Sequence, residues 1–169
     1  MKIELIISIV GGLAATSKWI YEYSNKLKWD KNKFLLEQIE NFENKESTKI
    51  AETLLDWNGT EITIEDKSFY VDDKLLLGAL TTHDLKNKFS TEEFLIRGVF
   101  DEYFDNLTRL VILSKTKLIS EDNLILFLEY WFEILSGQKE NKDKKVLEQI
   151  ETYLDFYGYN TLLEFILNI

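Results

Sequence analysis

Residues 3–23, IELIISIVGGLAATSKWIYEY, are the stretch on which the reading of the whole chain turns. Residues 5–17 contain no ionisable side chain, and with Glu4 and Lys18 admitted as end residues the apolar segment reaches Tyr23, about 30 Å as a helix. That length is just enough to cross a bilayer. Trp19, Ile20, Tyr21 and Tyr23 crowd its far end, as amphipathic rings do at a headgroup boundary, and Lys18, Lys26, Lys28, Lys31 and Lys33 accompany and follow them. Before the run stand only Lys2 and the α-amino group, opposed by Glu4. This lysine asymmetry points to an N-terminus outside and a long C-terminal part in the cytoplasm. A cleaved signal peptide would want a stronger basic start than Lys2 supplies. The other alternative is a core helix of a soluble bundle, which predicts solubility without detergent.

On a helical wheel Ile6, Ile9, Val10, Leu13 and Ile20 share one side, and Ser8, Gly12, Ala15 and Thr16 share another, with Gly11 and Ala15 four apart. Small residues at that spacing let helix backbones approach each other in lipid, so Ser8, Gly11, Gly12, Ala15 and Thr16 form the expected self-association face. Trp19, Tyr21, Tyr23, Lys26 and Lys28 form the expected membrane interface.

The 169 residues then divide into an anchor (1–24), a basic collar and stalk helix (25–43) and a cytoplasmic helical domain (44–169). Residues 1–33 carry six lysines against three acids, net +3, while residues 34–169 carry fourteen Lys or Arg against twenty-seven acids, net −13; together they make the −10 of the chain. A basic collar suits an anionic membrane surface, and an acidic body repels phosphate backbones, so nucleic-acid binding is disfavoured. No Lys-Arg cluster is visible outside the collar and the loop 139–145. Cysteine is absent, which excludes disulfides, thiolate nucleophiles and cysteine metal sites. Proline is absent too, so long unkinked helices are permitted.

Glycine and proline are missing between Ala14 and Asn58, so the anchor can run on as one helix in which Phe34, Leu35, Ile39 and Phe42 mark the side that enters the body. A turn at 44–47 precedes a short helix at 48–57, which Gly59 can close in the left-handed conformation. Residues 61–65 and 68–72 alternate as strands of a small hairpin around Asp66 and Lys67. Asp72 or Asp73 caps a short helix through Leu80, and 81–88 is a polar loop. Ser90 and Glu93 form a capping box for the longest helix of the body, 91–114, with Phe94, Leu95, Val99, Phe104, Leu107, Leu110, Val111 and Leu113 as its apolar face. Ser120 caps a helix at 121–136 that buries Leu124, Phe127, Leu128, Trp131, Ile134 and Leu135. Helices at 146–157 and 161–167 follow. The fold class is mainly all-α: an N-terminal transmembrane helix continuing into an antiparallel helical bundle with a small β-hairpin.

Chemistry is scarce. His83, the single histidine, sits in a polar loop beside Asp84 and reads as solvated. Gly11-Gly12 lacks the Lys-Ser or Lys-Thr of a P-loop. Asp101, Glu102 and Asp105, with Arg97 and Arg109 each four residues from an acid, are explained by ion pairs within one helix. The R-x4-6-H motif of HEPN ribonucleases is absent, since neither Arg97 nor Arg109 is followed by a histidine at that distance. No residue is assigned a catalytic, cofactor-binding or metal-ligating role. Aromatic residues are abundant: Phe100, Tyr103 and Phe104; Tyr130, Trp131 and Phe132; Tyr153, Phe156, Tyr157 and Tyr159. They cover more than one face of their helices, and either a second subunit, the membrane surface or a thick core takes the surplus rings.

The anchor, together with KWDKNKFLLEQIENFENKESTKIAETLLDWN (28–58), FDEYFDNLTRL (100–110), LEYWFEILSG (128–137) and ETYLDFYGY (151–159), resembles a family of small single-pass bacterial proteins. In size and plan the chain also resembles the membrane accessory protein of type VI-B CRISPR systems. That resemblance implies a bacterial inner-membrane protein whose homo-oligomer forms a pore supporting antiphage defence, with the lipid bilayer as first partner. A passive membrane-tethered module that recruits a protein partner is the second reading. A diverged HEPN-like domain without catalysis is the third.

Overall fold

The computed structural model describes residues 2–139 and 142–169, with side chains from Ser17 onward. Helix α1 (Lys2–Glu43) runs unbroken for 42 residues, about 63 Å at the rise of an α-helix. Only its last turns enter the body, where Leu35, Ile39 and Phe42, spaced four and three apart, are buried. A turn at Asn44 and Lys45 leads into α2 (Glu46–Asp56), which buries Ala51, Leu54 and Leu55 on one side.

Helix α2 stops at Trp57 in extended backbone, so Gly59 does not act as a helix cap. Gly59 instead adopts φ +153°, and a β-carbon there would meet the Tyr70 hydroxyl at 2.1 Å. It starts the first strand of the hairpin, β1 (Thr60–Ile64), which pairs antiparallel with β2 (Lys67–Val71), Ile62 facing Phe69. The turn falls on Glu65 and Asp66, both at positive φ, one residue earlier than the alternation suggests. A two-residue hairpin turn needs that conformation at both positions, and Lys67 is left to pair with Ile64. Ile62, Ile64 and Val71 give the ribbon its buried side.

Helix α3 (Asp73–Ala79) starts at Asp72, whose Oδ1 accepts from the Leu75 N–H at 2.8 Å. Helix α4 (Thr91–Lys115) starts with the expected box: Ser90 N–H donates to Glu93 Oε2 at 2.9 Å and Glu93 N–H to Ser90 Oγ at 3.2 Å. α4 is the axis of the fold and touches α2, α3, α5 (Glu121–Leu135) and α7 (Asn160–Leu167). Ile96, Phe100, Tyr103, Phe104 and Leu107 on it are fully enclosed. Each such side chain contributes about 1.5–3 kcal/mol on burial. α6 (Lys144–Phe156) closes the core with Val146, Ile150, Tyr153 and Leu154. Gly137 and Gly158, at φ +73° and +80°, end α5 and α6 where a side chain would be strained.

Two core assignments change. Phe94 is 69% exposed, although its neighbours Ile96 and Arg97 are buried. Phe127 is exposed as well, and Phe132, four residues from Leu128 and eight from Leu124, takes the buried face; Leu128 itself departs from helical geometry (φ −113°, ψ 15°). The body is therefore mainly helical with one small hairpin, as its sequence pattern suggests.

Candidate functional site

Every residue from Ser17 to Phe34 is exposed, and α1 projects from the body as a stalk up to Lys31 and Asn32, which bond to Lys117 and Asn123. Trp19 and Tyr21 are 65% and 68% exposed, and Trp19 stacks on Tyr23 with ring centroids 5.6 Å apart, one helical turn along the same face. Lys26 and Lys28 lie on the next turns, and Lys18 pairs with Glu22 at 3.8 Å. The five expected interface residues thus share one exposed length of helix, rings first and ammonium groups after. The expected self-association residues Ser8, Gly11, Gly12, Ala15 and Thr16, and the apolar run 5–16, lie outside the residues whose side chains are described. Among the described residues no helix is long and apolar enough to cross a membrane.

A second constellation joins residues the sequence keeps apart. Arg97, only 5% exposed, donates through Nη1 to the carbonyl oxygens of Ala79 at 3.0 Å and Thr81 at 2.9 Å. Its Nη2 donates to the Tyr157 hydroxyl and lies 3.3 Å from Nδ1 of His83. The guanidinium sits among the rings of Phe89, Tyr153 and Tyr157, 4.8–4.9 Å from each centroid. His83 itself is exposed and contacts the same hydroxyl. One turn on, Asp101 accepts from the Tyr153 hydroxyl, and burial raises its pKa against the lowering effects of that bond and of Arg97. Burial, then the Asp101 charge, pushes the Tyr153 and Tyr159 hydroxyls upward, so both phenols stay protonated at neutral pH.

The loop after α3 is consequently held firmly. Besides Arg97, Gln149 Nε2 donates to Leu80 O at 2.9 Å, and Lys86 pairs with Glu93. Arg97 and His83 do meet, although the order His before Arg hides the pair from any linear motif. Their geometry serves the fold: the guanidinium is taken up by its own backbone and rings, and the main cavities are lined by other residues. Lys142 is a further residue the sequence conceals. Placed in a charged connector, it is nonetheless buried, pairing with Asp73 at 2.7 Å and donating to Trp57 O at 2.8 Å.

The core encloses half of the ten rings singled out in the sequence. Phe100, Tyr103, Phe104, Phe132 and Tyr153 are enclosed, while Phe127, Tyr130 and Phe156 remain exposed on the body. Among the described residues no group of histidine and carboxylate side chains could hold a metal ion. No family model, curated protein or solved structure matches this chain.

Proposed function

We propose that α1 anchors the helical body to a bacterial inner membrane, N-terminus outside, and that copies assemble there as an oligomeric membrane effector, a pore in antiphage defence. One observation carries this reading: from Ser17 to Phe34 the helix has its aromatic rings and lysines exposed, with little of its own body to cover them. Rings left in water by their own chain, followed by lysines, fit a headgroup boundary. The uncharged run before them reaches the length of a span only when Glu4 and Lys18 serve as its end residues, and its small-residue side offers a contact between anchors. Purified protein in liposomes, with dye release and particle mass as readouts, tests the proposal. Dye release with a multimeric particle supports it; a monomeric particle with intact liposomes defeats the pore.

The second reading, a tethered module that recruits a protein partner without assembling, is supported by the enclosure of Phe100, Tyr103, Phe104, Phe132 and Tyr153, which leaves fewer rings for contacts between copies. A monomeric detergent particle that captures a partner would select it. A HEPN-type ribonuclease is the least supported reading, since Arg97 is committed to the Ala79 and Thr81 carbonyls.

A further inference from the structure

Where the stalk meets the body there is a cavity of about 520 Å³ that the anchor and the core leave unexplained. Lys28 and Lys31 of α1 line one side, Lys115 and Lys117 from the end of α4 line the other, and Glu121 is the one carboxylate among the lining residues. Four lysines line it in a chain whose net charge is −10. The cluster is built by folding, because residues 28–31 and 115–117 are far apart in sequence. Two bonds fasten its walls: Lys31 Nζ donates to Lys117 O at 2.6 Å, and Asn123 Nδ2 donates to Asn32 Oδ1 at 2.9 Å.

The lysines are only partly neutralised within the protein. Lys115 has only a solvent-exposed contact with Glu164 at 3.5 Å, and among the described residues Lys28 and Lys117 have no carboxylate partner. Lys117 also stands at φ +62°, where its N–H donates to Ser114 O at 2.8 Å and Leu118 N–H to Leu113 O at 3.0 Å. Helix ends of this kind usually place glycine there, so a charged side chain is held at a position where it strains the backbone. Converging like charges are unfavourable until an anion joins them, and lysine ammonium groups bind phosphate as point charges. A cavity of this size exceeds a lone phosphate and lies within the range of small-ligand sites.

We infer that this cavity is an anion site that takes a phosphate ester carrying more than one negative charge or a phosphate with its attached alcohol. Lys28 follows Tyr23 by five residues, about 8 Å along the helix, so the ester can come from an anionic lipid headgroup or from a soluble phosphate compound. Only the lipid source rests on the membrane reading above.

The test is lysine acylation of the full chain followed by mass spectrometry, with sodium pyrophosphate as the soluble probe. The lipid arm uses nanodiscs of phosphatidylcholine alone or mixed in equal parts with phosphatidylglycerol. At a probe concentration about ten times Kd, labelling of Lys28, Lys115 and Lys117 slows about tenfold. The Lys28→Gln/Lys117→Gly variant keeps the Lys31 contact to the backbone at 117 and relieves its strain, so it folds while protection of Lys115 is lost. Protection by pyrophosphate that the variant loses assigns a soluble ligand; protection only in phosphatidylglycerol discs assigns a headgroup. Absence of protection in both arms, or protection that the variant retains, overturns the site. If the chain proves soluble without detergent, the anchor fails but the pyrophosphate arm is still read in buffer.

Discussion

The exposed stalk of α1 and the enclosed helix α4 carry similar side chains in opposite surroundings. Trp19, Tyr21, Tyr23 and Trp29 stand out from the one, whereas Phe100, Tyr103 and Phe104 are sealed in the other, with Phe42 of α1, Tyr153 of α6 and Tyr159 among their ring neighbours. Rings of equal apolarity differ only in whether the chain supplies a neighbour. On α4 they are the stability of the fold; on the stalk they can contribute free energy only against something outside the body.

The sharpest way to probe that contrast is to shorten a ring on each helix. Phe104→Ala is expected to cost the detergent-solubilised protein about 3–5 kcal/mol, read as a lower denaturation midpoint.

Next in size is Arg97→Ala, which strands the Ala79 and Thr81 carbonyls and three aromatic faces, and should cost about 3 kcal/mol. His83→Ala, at an exposed position, should leave thermal stability within about 0.5 kcal/mol. Equal losses from the two variants would mean that the pair acts as one unit and that the clasp has been assigned to the wrong residue.

A third effect depends on pH. Burial, then the Glu43 charge, raises the Glu52 carboxyl to about 7 on α2, close enough to α4 that its charge also raises the enclosed Tyr103 hydroxyl. The folded protein therefore holds a proton there that the unfolded chain releases near pH 4.5, so this group's contribution to stability declines as pH rises from about 4.5 to 7. Glu52→Gln removes that decline. Its midpoint should match the parent near pH 4.5 and exceed it above pH 7 by about 1 kcal/mol, a value reduced for the partial exposure of the carboxylate. A parent whose stability is flat across this interval would contradict the assignment.

Trp29→Ala closes the series. It should shift the denaturation midpoint of the body by less than about 0.5 kcal/mol, since the ring lies in the open. A large loss would show that the stalk folds back on the body in solution.

Much of this plan is legible in the residues, and the illegible parts share one cause. Capping signals act within a single turn, so Asp72, Ser90 and Ser120 announce their helices directly. The unbroken α1 follows from the lack of glycine and proline after Gly12. What escapes is whatever depends on contacts between distant segments: the exposure of Phe127 and Phe94, and the burial of Lys142 against Asp73. The Arg97–His83 contact and the lysine cavity at the foot of the stalk escape for the same reason.

The account stands on the first two dozen residues preferring lipid to water. Because the chain has no native cysteine, single cysteines placed in turn from residue 5 to residue 34 can be labelled in intact cells and in opened membranes with an impermeant maleimide. Protection across residues 5–17, with labelling from about residue 24 onward only after the inner face is opened, is the expected result. Uniform labelling along the helix of a protein recovered in the aqueous fraction would contradict it.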